Sequence, residues 1–183
     1  MTDGFQSWEV QTFTGVGKTV VRIESIQHEV LVHFQTGESV GHISLEGISQ
    51  DGSTAWLGVN DVGQYSGVNL YDGSRGILVA FSVTCEVGWS LAVRPVSDAR
   101  VWSDGQITGL GDDVLVLPDA GRGFSTVAIN ASSEDNTGVW AYGNESGNLL
   151  FNFIGPSEQE SVLPSDAWVI AVKSNAPWGM SRG

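Results

Sequence analysis

The sequence predicts an all-β protein made of two tandem antiparallel β-sandwich units related by an internal repeat. Three observations lead to this fold class. Glycine accounts for 24 of the 183 residues and only 16% of the residues are charged, a composition that disfavours helices. The apolar segments are short, and Gly, Asn, Asp and Ser, the residues typical of turns, separate them. Finally, the second half of the chain resembles the first.

The internal similarity begins with a tryptophan followed by a Gly-x-Gly motif. Residues 8–17 correspond to residues 102–111 at a constant offset of 94, and the Trp, the Thr and both glycines are identical. An apolar strand follows each motif, at 20–23 and at 114–117. A constant offset over matched residues indicates a repeated structural unit.

The two units also end alike. The apolar runs 77–83 and 168–172 each lead to a tryptophan, Trp89 or Trp178, at an offset of 89. Pro95 interrupts the pattern between the copies. The sequence therefore predicts unit one over residues 1–96 and unit two over residues 97–183.

Each unit has the strand density of a small sandwich. The strands predicted in unit one are 8–13, 19–23, 29–34, 41–45, 55–59, 67–70, 77–83 and 89–93. Those predicted in unit two are 105–107, 114–117, 125–130, 138–142, 149–154, 161–163 and 167–172. No segment has the 3.6-residue apolar period of a helix, and short strands at this spacing are typical of sandwiches.

The second copy of the repeat resembles a known β-sandwich repeat. Residues 108–118 read TGLGDDVLVLP, residues 149–156 read LLFNFIGP, and a Pro-Trp pair at 177–178 closes the unit. This pattern is similar to a tandem Gly-x-Gly-Asp-Asp-Val repeat associated with extracellular proteins of high-GC Gram-positive bacteria and their phages. The resemblance spans both units and implies a fold and a setting, but no activity. Unit one departs from it, because Lys18 and Thr19 replace the two aspartates.

The charge of the chain excludes several classes of partner. There are 21 Asp and Glu residues against 8 Lys and Arg, which gives a net charge of −13. Such a surface repels phosphate backbones and anionic membranes, so we expect binding to neither nucleic acid nor membrane. The chain starts on a plain methionine without the basic and apolar segments of a signal peptide. Cys85 is the only cysteine, which excludes an internal disulfide.

The motifs that suggest catalysis have simpler structural explanations. Residues 37–41 read GESVG, which fits the nucleophile elbow of hydrolases. That elbow requires a helix directly after the serine, whereas a strand is predicted here. We therefore interpret the segment as a hairpin turn, expect Ser39→Ala to leave function unchanged, and predict a non-enzymatic protein without a cofactor.

A metal site has only weak support in the sequence. Asp112 and Asp113 are the best calcium candidates, because calcium prefers several carboxylate oxygens. No calcium-binding loop of the Asp-x-Asp-x-Asp-Gly type occurs, and acidic loops are more often only solvated. We therefore expect no bound metal.

Aromatic residues are the strongest candidates for binding. Trp8, Trp102, Trp89 and Trp178 recur in both copies, so we expect them in the cores. Aromatic rings stack on sugars and anchor protein interfaces. The unmatched tryptophans either belong to local parts of the cores or form exposed platforms that turn-associated tyrosines extend. On the second alternative the candidate binding residues are Trp56, Tyr65, Tyr71, Trp140, Tyr142 and Trp168.

Two functions follow from these features. The first is a structural protein of a phage virion, made in the host cytoplasm, that decorates the capsid or serves as a head or tail accessory. The alternative is an extracellular carbohydrate-binding or adhesion module of a bacterial surface protein. A large protein assembly, a glycan and further copies of the chain stay open as partners. The charge difference between Lys18 and Asp112 further suggests that unit one docks while unit two faces solvent.

Overall fold

Strands form nearly all of the regular structure, as the composition predicts. The structure is a computed structural model that describes residues 9–38, 41–118, 125–132, 134–144 and 147–183. The chain divides into two compact units, Met1–Asp98 and Ala99–Gly183. The only helical segment among the described residues is a 3-10 turn at Val96–Asp98. The junction predicted after residue 96 lies two residues before this division.

Unit one consists of two four-stranded antiparallel sheets. Its strands are β1 (Gln11–Val16), β2 (Thr19–Ile26), β3 (Val30–Thr36), β4 (His42–Ser49), β5 (Thr54–Val62), β6 (Ser66–Tyr71), β7 (Leu78–Thr84) and β8 (Gly88–Pro95). One sheet has the order β1-β8-β3-β6 and the other has the order β2-β7-β4-β5. Consecutive strands often lie in different sheets, which is typical of a sandwich.

The described residues of unit two form nine strands, also in two sheets. They are β9 (Arg100–Val101), β10 (Gln106–Leu110), β11 (Asp113–Val116), β12 (Ser125–Ala131), β13 (Asn136–Tyr142), β14 (Asn148–Ile154), β15 (Ser157–Leu163), β16 (Val169–Lys173) and β17 (Pro177–Arg182). The sheet orders are β10-β17-β12-β15 and β14-β13-β16-β11-β9. The short β9 pairs with β11 in parallel, and all other pairs are antiparallel.

The strand order of the two units corresponds strand for strand. Strands β1-β8-β3-β6 occupy the places of β10-β17-β12-β15, and β2-β7-β4-β5 occupy those of β11-β16-β13-β14. The irregularities agree as well. A register shift at Leu45/Glu46 in β4 matches one at Val139/Trp140 in β13. The two halves thus have related topologies, while their origin as copies of one ancestral unit stays a prediction.

Alternating side chains build a separate core in each unit. In unit one, Val30, Val32 and Phe34 on β3 face inward with Trp89, Leu91 and Val93 on β8. In unit two, Val127, Ile129 and Ala131 on β12 face inward with Trp178 and Met180 on β17. This period of two is the strand pattern that the sequence indicates.

Three features differ from the sequence-based prediction. Strand β17 was predicted only as the tryptophan that ends the repeat, and β9 was not predicted. Strands β3 and β4 lie in different sheets, so these two strands do not form the hairpin that the sequence predicts around residues 37–41. A strand does follow this segment, as predicted, while Ser39 itself lies outside the described residues.

Candidate functional site

The tryptophans matched near the end of each repeat have identical structural roles. The Trp89 indole nitrogen donates a hydrogen bond to the Gly17 carbonyl at 3.1 Å, and that of Trp178 donates to the Gly111 carbonyl at 2.8 Å. Each ring lies so close over the first glycine of its Gly-x-Gly motif that a Cβ there would collide with it. Both tryptophans are buried, which assigns the motif to the core.

Trp102 is buried as well, and its indole nitrogen donates to the Gly105 carbonyl at 3.3 Å. The core role that the sequence predicts for these three tryptophans agrees with this burial. Trp8, the fourth matched tryptophan, lies outside the described residues.

The candidate aromatic residues of unit one belong largely to its interior. Tyr65 is 8% exposed and Tyr71 is 0% exposed. Trp56 is half-buried, stands edge-on to Tyr71 and Phe81 with centroids 6.4 and 6.1 Å away, and donates to the Leu70 carbonyl at 3.0 Å. The prediction that these residues extend an outer binding surface is therefore at odds with the burial of both tyrosines.

Tyr71 has a further sign of burial. Its hydroxyl donates to the Gly76 carbonyl. Burial, with a smaller contribution from the negative charge of Asp72, raises the pKa of the phenol above its ordinary value. A protonated phenol that is bonded inward is a structural group and not a platform for a ligand.

Unit two places its candidate aromatic residues nearer the surface. Val139 and Ala141 face the core, so alternation directs Trp140 and Tyr142 to the outer face of the sheet. Both are half-buried. The Trp140 ring lies over Gly138, where a Cβ would be 2.5 Å from the ring. These two rings form an outward aromatic pair on β13.

Trp168 lies beside this pair at the start of β16. Its backbone nitrogen donates to the Tyr142 carbonyl at 2.9 Å, and its indole nitrogen donates to the Gly143 carbonyl at 3.3 Å. Three of the six predicted binding residues thus lie near one another where β13 pairs with β16.

The two calcium candidates are occupied by basic side chains. The Asp112 carboxylate accepts from the Lys173 ammonium at 3.0 Å and from the Ser174 backbone nitrogen at 2.9 Å. The Asp113 carboxylate accepts from the Arg100 guanidinium at 2.6 Å. Each carboxylate has a basic partner within unit two.

This pairing also explains the charge difference between the units. Lys173 occupies in unit two the register position of Thr84 in unit one, as the offset of 89 requires. Asp112 therefore has a cation opposite it, while Lys18 in unit one faces a neutral partner position. The charge change is compensated inside the unit, so it no longer indicates that unit one alone docks.

Exposed aliphatic side chains occupy equivalent positions in both units. Six of the ten large hydrophobic residues exposed in the described part of the chain form matched pairs, whereas isolated exposed residues need no explanation. The pairs, with exposed fractions, are Val16 (77%) with Leu110 (71%), Leu57 (56%) with Leu149 (53%), and Val62 (68%) with Ile154 (79%).

The strand registers establish these equivalences. Val62 pairs with His42 and Ile154 pairs with Asn136, at the same end of the corresponding strands β4 and β13. A glycine with positive φ follows each one, Gly63 at 99° and Gly155 at 83°. Only the Val16–Leu110 pair is visible at the 94-residue offset, so sequence reasoning missed the other two.

Two of the three pairs mark the same end of their unit. Val16 is the last residue of β1 and Val62 is the last residue of β5. Both strands end where the β3–β4 and β7–β8 connections lie, as the antiparallel registers show. Leu110 and Ile154 take the same places in unit two. We call this end, defined by Val16 and Val62 or by Leu110 and Ile154, the aliphatic end of each unit.

A shallow polar groove lies on the other sheet of unit two. It has a volume of about 230 Å³, and Gln106, Thr108, Asn130, Glu158 and Ser181 contribute its polar lining. Its open shape and the lack of a ring on its floor distinguish it from a typical small-molecule pocket.

Neither a metal site nor a membrane span is found among the described residues. These residues contain no group of three or more His, Cys, Asp or Glu side chains arranged for a metal ion. They also contain no helix long and apolar enough to span a bilayer.

Comparison with known proteins gives similarities to solved structures alone. No protein-family model and no curated protein matches the sequence. Among solved structures, the chain is similar to the stem and receptor-binding domain of the spike protein P1 from bacteriophage PM2. The identity is 12% and the TM-score is 0.20, over 100% of this chain and 81% of that chain. A TM-score of this size does not establish a shared fold, and no functional conclusion follows from it.

Proposed function

We propose that this chain is a non-enzymatic structural protein of a phage virion that attaches to the capsid or to the tail, as a decoration or accessory protein, through the aliphatic ends of both units. The observation that carries the proposal is the recurrence of exposed aliphatic residues at equivalent positions, Val16 and Val62 in unit one and Leu110 and Ile154 in unit two. Exposed apolar side chains that recur in the same geometry are expected where each unit binds a similar partner surface.

A repeating partner surface suits such a chain. Capsid and tail lattices present the same protein surface many times, so two linked units can bind two neighbouring copies. Linking two weak sites raises the overall affinity by about 10²–10⁴-fold without new contacts. Two modest aliphatic contacts per unit are then sufficient for stable attachment.

The charge of the chain supports many crowded copies. A net charge of −13 keeps proteins soluble and makes their outer faces repel one another. The resemblance of the repeat to one found in high-GC Gram-positive bacteria and their phages is in keeping with this setting.

The experiment that tests the proposal locates the chain in its native assembly. Particles are purified on a density gradient, and the chain is quantified by mass spectrometry against the major capsid protein. We expect the chain to co-sediment with the particles in many copies. Its absence from intact particles would overturn the proposal.

A carbohydrate-binding module is the second candidate, and one observation favours it. Trp140 and Tyr142 present two half-exposed rings on the same outer face, an arrangement that can stack on sugars. A chain that is absent from particles but binds a defined glycan, and loses that binding on Trp140→Ala, would support this candidate.

A further inference from the structure

Strand β14 is an edge strand with an uncharged and largely apolar sequence. Its seven residues read NLLFNFI. It pairs with β13 on one side, and no described strand pairs with it on the other. An open edge offers a row of backbone donors and acceptors to any further strand, and proteins usually protect such edges.

Strands β1, β6 and β10 are also edge strands without charged residues, but β14 is the most apolar of these four. The remaining edges show the usual protection. Strand β15 has Glu158 and Glu160, and β2 has Arg22 and Glu24. In unit two the far edge of β11 is covered by β9. Charged side chains and covering strands both prevent edge-to-edge pairing.

The equivalent edge of unit one is a direct internal comparison. Strand β5 occupies the place of β14, and Leu57, Asn60 and Val62 correspond to Leu149, Asn152 and Ile154. Asp61, however, occupies the place of Phe153, because Asp61 pairs with Ile43 and Phe153 pairs with the equivalent Thr137. An acidic residue directed toward the core side of an edge opposes pairing. Of these two equivalent edges, only β14 therefore lacks an inward-pointing charge.

We propose that two copies of this chain associate edge to edge through β14, as an antiparallel pair about a twofold axis. The pair would join two five-stranded sheets into one continuous sheet. This inference does not depend on the proposed virion role.

The uncharged sequence of β14 is compatible with a second copy as the occupant, despite the net charge of the chain. Two chains of charge −13 repel wherever acidic surfaces meet, and like charges directly opposite on paired strands are destabilising. An antiparallel β14–β14 pair brings uncharged residues together along its whole length. A twofold arrangement also satisfies both open edges at once. A single added strand pair buries less than about 1,000 Å², so the association is expected to be weak and reversible.

The test is sedimentation velocity of the full chain over a wide concentration range. We expect the wild type to show a reversible monomer–dimer equilibrium. Leu149→Lys should weaken it by at least about tenfold, because each copy then adds a positive charge to the paired strands. The control Leu57→Lys places the same charge on the equivalent, similarly exposed position of β5 and should leave the equilibrium unchanged.

A second pair of variants keeps the inference testable if either leucine variant fails to fold. Asn152→Lys and Asn60→Lys each remove one exposed side-chain hydrogen bond of 2.8 Å, to Asn136 and to His42 respectively. We expect only Asn152→Lys to reduce dimerisation. Hydrogen exchange on the wild type provides a readout without variants, because the β14 amides should gain protection as concentration rises while the β5 amides do not.

Three results would overturn the inference. They are a wild type that stays monomeric at every concentration, a dimer that persists in both β14 variants, and a dimer that the β5 controls weaken equally. Binding of β14 to a different protein while the chain stays monomeric would also replace the second copy as its occupant.

Discussion

At the scale of single residues, the Gly-x-Gly motif is explained by the tryptophan that contacts it. The first glycine has no side chain, which allows the indole ring to pack directly on the backbone. A Cβ on Gly15 or Gly109 would overlap the ring. The second glycine has φ of 74° in both units and presents its carbonyl to the indole N–H. Glycine is the residue that adopts such a positive φ at little cost.

The contact between Gly109 and the Trp178 ring can be tested by comparing Gly109 with another glycine of the same sheet. Gly109→Ala should lower the free energy of unfolding by about 2 kcal/mol, because overpacking forces the Trp178 ring to move. Gly179→Ala is the control, since a Cβ there would find its nearest neighbour at 3.7 Å and should change stability by less than about 0.5 kcal/mol. Denaturant unfolding measures the loss of stability in both variants. Equal losses would refute the proposed role of Gly109.

A second prediction concerns the turn between β4 and β5. Ser49 and Ser53 donate hydrogen bonds to the Asp51 carboxylate and lower its pKa from 3.8 to about 2. A lowered pKa in the folded state stabilises the fold above the unfolded value, and this contribution is lost as pH falls from about 4 to about 2. Asp51→Asn should therefore flatten the stability profile in this window and leave its shape near pH 7 unchanged. NMR titration of Asp51 should give the low pKa directly, and an ordinary value would contradict the assignment.

At the scale of elements, the ion pairs of β11 hold neighbouring segments together. Asp112 accepts from both Lys173 and the backbone of Ser174, a residue only 7% exposed. Asp112→Ala should cost about 1–3 kcal/mol because a buried N–H loses its acceptor. Asp112→Asn keeps an acceptor oxygen and loses only a partly exposed ion pair, so it should cost less than about 1 kcal/mol. Thermal unfolding compares the two, and an Asn variant as costly as the Ala variant would contradict this division of roles.

The sequence was sufficient for the fold class and for most strands, and the reason is physical. Alternation of apolar residues, as along β3 and β8, is local information. The pairing of strands is not local, so the assignment of β3 and β4 to different sheets could not be read from the GESVG segment. The same limit hid the equivalence of Val62 with Ile154, which appears only in the strand register. Burial of Tyr65 and Tyr71 likewise depends on which sheet covers them.

At the scale of the whole molecule, the two units present the same aliphatic end. On particles that bind the chain, Val62→Ser and Ile154→Ser should each strongly reduce retention, because weakening either site removes bivalent attachment, and the double variant should reduce it further. Val20→Ser is the control, since Val20 is 65% exposed but its counterpart Val114 is 1% exposed. Retention after washing, quantified by mass spectrometry, is the readout. Equal losses for Val20→Ser would show that exposure alone matters.

The most direct measurement is a high-resolution image of the chain on its native particle. The account predicts density for many copies, with the aliphatic ends of both units, at Val62 and at Ile154, facing the surface of the assembly. Density in which only one unit makes contact, or in which the Trp140 face makes it, would contradict this mode of attachment. Particles without the chain would contradict the account as a whole.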